Sequence, residues 1–328
     1  LKPKLLVTRK VFPEVIEALS VVFDVDHNLA DDPWTPEELR RRAGLCRALY
    51  VVASDRVDAA LLDACPALVA IATGSVGYNH IDLDACSARG VLVTNTPDVL
   101  TEATADMGWA LLMAAARRVG ESERWLRAGH WDRWAWDQFL GADVHGSTLG
   151  ILGMGRIGSA IARRAAGFSM RVIYCNRSEA SGAAALGASR VTLDELLAQA
   201  DHLLLVVPYS AATHHIIGAR ELGLMKPTAT LVNIARGGIV DDAALAAALA
   251  GHRIAAAGLD VYENEPALNP ALLNAPNIVL TPHIGSGTRS SRLGMAMLAA
   301  RNLLAVEAGD PPGPVRPPDH GGGSALER

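Results

Sequence analysis

Six consecutive residues, Gly153-Met154-Gly155-Arg156-Ile157-Gly158, have the types and spacing of a loop that cradles a diphosphate. Glycine at 153 permits a tight turn, at 155 it lets backbone approach phosphate oxygens, and at 158 it lets the following helix pack closely. The loop follows an apolar run, Leu149-Gly150-Ile151-Leu152, and leads into a helical pattern through Ile157, Ile161 and Ala165. Free N–H groups at that helix start would face the phosphates. Alone, the motif would suit an ordinary glycine-rich turn; the order of strand, loop, helix and second strand is what points to a dinucleotide. About twenty residues beyond the loop, an Asp or Glu would hold the ribose hydroxyls of NAD. The chain instead reads Tyr174-Cys175-Asn176-Arg177-Ser178. Arg177 offers a guanidinium to a 2′-phosphate, with Asn176 and Ser178 as hydrogen-bonding neighbours, so NADP(H) is expected in preference to NAD(H). Glu179 is the dissenting residue.

Three further segments carry polar groups just past the ends of predicted strands, where open α/β sheets bind ligands. They are Val232-Asn233-Ile234-Ala235-Arg236-Gly237-Gly238, Gly258-Leu259-Asp260-Val261-Tyr262-Glu263-Asn264-Glu265-Pro266 and Thr281-Pro282-His283-Ile284-Gly285. Arg236, Glu265 and His283 each have a bland reading alone, as a surface arginine, a loop acid and a loop histidine. Together at successive strand ends they read as a site. His214 and His215 are adjacent rather than spaced along a helical face, so no metal pair is expected from them.

The elements that must position these residues alternate. In the first hundred residues short apolar runs at 5–7, 21–23, 48–52, 68–71 and 91–93 are separated by helical patterns, which predicts a parallel sheet. One long helix is predicted from Thr101 to about Ala128, capped by Thr101. From Thr148 six strands alternate with helices, the pattern of a doubly wound dinucleotide-binding sheet. A last helix, about 290–308, is expected to return to the first domain. The fold class is thus α/β with two doubly wound parallel-sheet domains and a cleft between them, a smaller flavodoxin-like substrate domain over 1–99 and 286–328 and a dinucleotide-binding domain over 100–285. The tail from Pro311, rich in Pro and Gly, is left out of this reading.

Composition fits two cores: of 328 residues, 50% are hydrophobic and 20% charged. A net charge of −5 with scattered basic residues argues against nucleic acid or anionic lipid as partner. The longest arginine run, Arg40-Arg41-Arg42, reads as a solvated helix face. No apolar run approaches the roughly 20 residues that span a bilayer. Four cysteines without a C-x-x-C spacing, and nothing like a signal peptide before Leu1, lead to the expectation of a cytoplasmic protein.

With these segments, and with Thr73-Gly74-Ser75-Val76-Gly77-Tyr78-Asn79-His80-Ile81-Asp82 and Asn95-Thr96-Pro97, the sequence resembles the D-2-hydroxyacid dehydrogenase family, and within it glyoxylate/hydroxypyruvate reductases. The resemblance runs from Lys4 to about Ala308. It implies reduction of a small 2-keto acid to the D-2-hydroxy acid by hydride from NAD(P)H. His283 would be the general acid, Glu265 its orienting partner, and Arg236 the holder of the substrate carboxylate, which agrees with what such a reduction needs. Ser75, Val76 and Gly77 would complete the carboxylate site. Asp260 looks like the residue that accepts from the nicotinamide carboxamide. Thr104, Val207, Pro208, Ile234, Ala235, His283 and Gly285 resemble cofactor-contacting positions.

Within this fold, phosphoglycerate, formate and phosphite dehydrogenases are the rivals. The first is disfavoured by the absence of a domain after the last helix, the second by Glu rather than Gln at 265, the third by Ser75 where a lysine would stand. A 2-ketogluconate-type reductase remains an alternative. A dinucleotide-sensing corepressor, binding protein partners without turnover, is the reading from another class. Trp125, Trp131, Trp134 and Trp136 cluster where the resemblance implies a dimer contact, so a homodimer is expected.

Overall fold

The computed structural model describes residues 1–315, which divide into two units: Leu1–Leu100 with the described residues from Thr288 on, and Thr101–Gly287. The end of the expected 286–328 stretch therefore lies outside the described residues.

The first unit holds a five-stranded parallel sheet of β1 (Lys4–Val7), β2 (Asp24–His27), β3 (Ala48–Val51), β4 (Ala70–Thr73) and β5 (Leu92–Thr94), in the order β2-β1-β3-β4-β5. This is the flavodoxin-like arrangement. Successive side chains point to opposite faces, so Leu6, Leu49, Val51 and Ile71 fill one core and Leu5, Val7, Tyr50 and Ala72 the other. Helix Arg289–Glu307 covers the second core with Ala296, Ala299, Ala300 and Leu303, which is why the chain after residue 288 belongs with the first hundred residues.

Val21-Val22-Phe23 does not form the predicted strand. The N–H groups of Val22 and Phe23 both return to the Leu19 carbonyl and close the preceding helix, Pro13–Ser20. Phe23 enters the core while Val21 is 73% exposed. The strand forms just after, over Asp24–His27, on the sheet edge where charged side chains face solvent. The arginines at 40, 41 and 42 lie on helix Pro36–Ala43 and pair with Glu37, Glu38 and Asp26.

The second unit is built on β6 (Thr148–Leu152), β7 (Arg171–Cys175), β8 (Ala188–Arg190), β9 (His202–Leu205), β10 (Thr230–Asn233), β11 (Ala256–Leu259) and β12 (Ile278–Leu280). The sheet is parallel with order β12-β11-β10-β9-β6-β7-β8, so the chain reverses direction of growth beside β6, where dinucleotides bind. Both faces are covered: Leu203 and Leu205 of β9 enter one core, Leu204 the other. Seven strands replace the six predicted. The extra one, β8, is short and mostly exposed and pairs only with β7, so it lacks the apolar run that marks the others.

The long helix predicted to about Ala128 is two helices, Thr101–Ala116 and Val119–Arg127. Arg118, at φ 54°, breaks it, and the Ala116 carbonyl is taken by the N–H of Ala142 from the returning chain instead of by the next helical turn. Arg118 then forks onto Glu121 with two 2.8 Å bonds, fixing the new direction.

Candidate active site

Register places the site. Leu152 of β6 pairs with Cys175 on one side and Leu205 on the other, and the row continues through Asn233, Leu259 and Leu280. The residues that follow this row, Gly153, Asn176, Val206, Ile234, Asp260 and Thr281, therefore leave the sheet side by side, at roughly 4.8 Å per strand. Every cofactor-binding and catalytic residue expected of this unit lies on these strand-end segments, apart from Thr104 on helix Thr101–Ala116.

The glycine loop has the conformation its sequence requires. Gly153 has φ 104°, and a methyl group there would lie 2.9 Å from Val206 and Val207, with Val207 packed against it. At Gly158 a methyl group would overlap the Gly153 carbonyl, so only glycine lets helix Arg156–Ala165 start this close to the loop. A methyl group on Gly155 would meet nothing within 4 Å, which leaves backbone open to a diphosphate as the dinucleotide fit demands. Met154 is buried, Ile157 part-buried and Arg156 exposed at the helix start. Asn176 is committed to the loop: its Oδ1 accepts from the Met154 N–H at 2.7 Å. Arg177 and Ser178 are exposed beside it. Arg190, which sequence reading passed over, reaches from β8 and donates to the carbonyls of Asn176 and Arg177, both at 3.2 Å. Pro208 is exposed and its carbonyl accepts from Thr213 at 2.8 Å.

On β10, β11 and β12 the polar residues meet. His283 Nδ1 lies 2.7 Å from Glu265 Oε2, and the other Glu265 oxygen accepts from the Tyr262 N–H at 2.7 Å. Burial would raise the Glu265 carboxyl, but the His283 hydrogen bond and charge, the Tyr262 N–H and the Arg236 charge together hold it below the usual carboxylate range. Arg236 follows Ile234 and Ala235, both buried, in a turn held by Asn233, whose Oδ1 accepts from the Ala235 N–H at 3.0 Å and whose Nδ2 donates to the Arg236 carbonyl at 3.1 Å. Arg236 donates to the Ala235 carbonyl at 2.6 Å. Burial pulls its guanidinium below the ordinary arginine value, and the Glu265 charge opposes that. The arrangement can hold a carboxylate on the guanidinium and deliver a proton from the imidazole.

His283 itself sits at φ 53°, a left-handed backbone uncommon outside glycine, which its surroundings here hold in place. Asp260 does so. Its buried carboxylate accepts from the N–H groups of Ile284 at 2.8 Å and Gly285 at 2.6 Å and from the Thr281 hydroxyl at 2.6 Å. A methyl group on Gly285 would lie 3.1 Å from that carboxylate and 3.5 Å from Thr104. Asp260 thus shapes the turn that carries His283, a duty invisible in the sequence. Tyr262, also unmarked there, donates to the carbonyls of Leu259 and Thr281 at 2.9 and 2.8 Å.

In the first unit, Ser75 follows β4 and spends its hydroxyl within its own loop, donating to the Gly77 carbonyl at 2.6 Å and meeting Thr73 Oγ1 at 2.8 Å. The Val76 carbonyl accepts from Asn95 at 2.8 Å. The side chain of Ser75 is therefore a brace, and the loop offers backbone.

A family model described as D-isomer specific 2-hydroxyacid dehydrogenase, NAD binding domain, matches residues 109–285. The chain is 47% identical over 317 residues to a glyoxylate reductase of Thermococcus onnurineus, covering 95% of both. Among solved structures it resembles a glyoxylate reductase from Paecilomyes thermophila, with TM-score 0.86 and 36% identity over 96% of this chain and 98% of that one. It also resembles an NADPH-dependent glyoxylate/hydroxypyruvate reductase from Sinorhizobium meliloti in complex with NADP and malonate, with TM-score 0.85 and 36% identity over 100% of this chain and 99% of that one. The chain belongs to the D-isomer specific 2-hydroxyacid dehydrogenase family.

Proposed function

We propose that the chain reduces glyoxylate to glycolate and hydroxypyruvate to D-glycerate, with NADPH preferred to NADH. The observation that carries this reading is the 2.7 Å bond between His283 Nδ1 and Glu265, which leaves the other ring nitrogen to serve a substrate. Close relatives carry the name glyoxylate reductase, and one structural neighbour is described as NADPH-dependent.

The nicotinamide, when bound, supplies the hydride to the keto carbon. The guanidinium of Arg236 holds the substrate carboxylate and polarises the adjacent carbonyl. In the first unit, taken by itself, the backbone N–H groups of Val76 and Gly77 are proposed as donors to a carboxylate. His283 Nε2 gives its proton to the oxygen that becomes the hydroxyl, while Glu265 stabilises the imidazolium before transfer and keeps the ring oriented after it. The glycine loop takes the diphosphate on its backbone. Val207, Pro208, Ile234, Ala235, Thr104 and Gly285 are proposed to line the rest of the dinucleotide, and Asp260 to accept from the carboxamide with lone pairs not used by the His283 turn. Arg177 and Ser178, exposed beside the loop, are proposed to bind the 2′-phosphate. Initial rates with NADPH and NADH against glyoxylate, hydroxypyruvate, pyruvate and 2-ketogluconate test the reading; oxidation of neither cofactor by any of the four refutes it.

The working form is proposed to be a homodimer in the cytoplasm. Trp131, Trp134 and Trp136 are 59%, 63% and 86% exposed, with Trp134 and Trp136 packed edge to face, an apolar surface of the kind that marks an interface. The four cysteines are free and buried, and among the described residues no helix is long and apolar enough to cross a membrane. Light scattering of the wild type and of Trp134→Ala, Trp136→Ala checks the association; a monomeric wild type would exclude it.

A further inference from the structure

Glu263 has no part in the chemistry above, yet it is held from two sides. Its carboxylate meets His215 Nε2 at 2.5 Å, and its N–H donates to Asp242 Oδ2 at 3.1 Å. His215 is also bound by its backbone, whose N–H donates to the Gly238 carbonyl at 2.7 Å, in a left-handed conformation at φ 49°. The next turn over, a methyl group on Gly237 would overlap the Tyr262 carbonyl, and one on Gly238 would lie 3.0 Å from Tyr209 and 3.7 Å from the Glu263 carboxylate. The turn that carries Arg236 is therefore pressed between His215 and the Tyr262–Glu263 backbone. Glu265, two residues on, is fixed by the Tyr262 N–H.

His214 packs face to face on His215, with ring centroids 3.9 Å apart and planes 22° apart, and its Nδ1 is bonded to the Tyr209 hydroxyl at 3.2 Å. His214, His215 and Glu263 bring ligand atoms within 4.8 Å of one another, as a metal site would. Stacked imidazoles, however, aim their in-plane lone pairs side by side rather than at one point, and His215 already shares its Nε2 with the carboxylate. The cluster is built as a clamp.

We propose that His215 is a positioning residue for the reduction: by holding Glu263 against the Gly237–Gly238 turn it sets the separation of Arg236 from Glu265, and so the placement of His283. This rests on the roles given to Arg236, Glu265 and His283 above. The imidazole acts through two loops that meet over its ring and its backbone.

The test uses the full chain with His215→Ala, His215→Gln, Glu263→Gln and the double variant His215→Ala/Glu263→Gln. Loosening a catalytic group by even an ångström costs up to about a hundredfold in rate. His215→Ala and Glu263→Gln are each expected to lower kcat for glyoxylate by about ten- to a hundredfold. NADPH affinity, read by fluorescence, falls by less than kcat does, since the diphosphate loop follows β6, away from the clamped turn. The double variant is no slower than His215→Ala, because both changes open one clamp. His215→Gln, whose amide nitrogen reaches the same carboxylate oxygen, recovers most of the rate. Independently of turnover, the His283 ring signal in nitrogen-15 spectra, assigned by its loss in His283→Ala, moves in His215→Ala and returns in His215→Gln. A wild type that oxidises no cofactor would sink the proposed function while that signal still decides the clamp. Wild-type kcat with an unmoved His283 signal in His215→Ala overturns the clamp, as do losses that multiply in the double variant or that fall equally on NADPH affinity.

Discussion

Gly237 lies against the carbonyl oxygen of Tyr262 so closely that any side chain at 237 would overlap it. The backbone that follows Arg236 is thereby packed directly on the backbone three residues before Glu265.

Gly237→Ala should force these two backbones apart. The expected result is a destabilised protein, by about 1–3 kcal/mol as for other overpacked sites, with kcat reduced more than NADPH affinity. Thermal unfolding together with steady-state kinetics checks both parts.

For His283 as proposed acid and Arg236 as proposed carboxylate holder the losses should divide differently. His283→Ala is expected to lower kcat by about 10²–10⁴-fold, the usual worth of a general acid, while NADPH still binds. Arg236→Lys keeps the charge but loses the planar fork, so glyoxylate KM should rise more than kcat falls. Equal loss of NADPH binding in either variant would show that the side chain serves the cofactor instead.

Asp242 gives a pH dependence of stability with a definite sign. Burial, with the charges of Glu263 and Asp241, pushes its carboxyl up to about 6 from 3.8, and the His215 charge opposes this. The folded state then holds the proton over the range in which the unfolded chain has released it, so stability falls as pH rises from about 4 to 6. Asp242→Asn, which still accepts from the Glu263 N–H, should remove that fall and melt higher than wild type at pH 8. The gain is bounded by about 3 kcal/mol. Melting curves of both proteins at pH 4, 6 and 8 read the effect.

At the cofactor end, if Arg177 serves the 2′-phosphate as proposed, Arg177→Asp should lower the efficiency with NADPH relative to NADH. Asn176→Ala should weaken both cofactors alike, since its Oδ1 braces the Met154 N–H of the shared diphosphate loop. The ratio of kcat/KM for the two cofactors separates these outcomes.

What could be read in the sequence was what is written in consecutive residues. The glycine loop and the strings around Arg236, Glu265 and His283 each declare their place because a strand, a turn and a functional group fall within a few positions. The parallel character of both sheets followed from the alternation of strands and helices. The rest depends on residues distant along the chain. His215 and Glu263 stand 48 apart, and neither has a motif of its own. Asp260 stands in a recognisable string, but its grip on the Ile284 and Gly285 N–H groups exists only once β11 and β12 pair. Helical periodicity ran unbroken through Arg118, because the break comes from Ala142 arriving at the Ala116 carbonyl and not from a proline or glycine at the bend. The bond from the Ser75 hydroxyl to the Gly77 carbonyl depends on how the loop after β4 turns, which consecutive residues do not spell out.

Thr104 and Gly285 stand near the two ends of the unit Thr101–Gly287, yet a methyl group on the glycine would lie 3.5 Å from the threonine side chain. The inserted stretch thus starts and finishes at one spot, as a cassette does, with both faces of its sheet covered by its own helices. Cut out as residues 101–287, it is expected to fold alone and to capture the dinucleotide without turning anything over. Spliced into another host at a single surface loop, it would carry the His283 turn along intact.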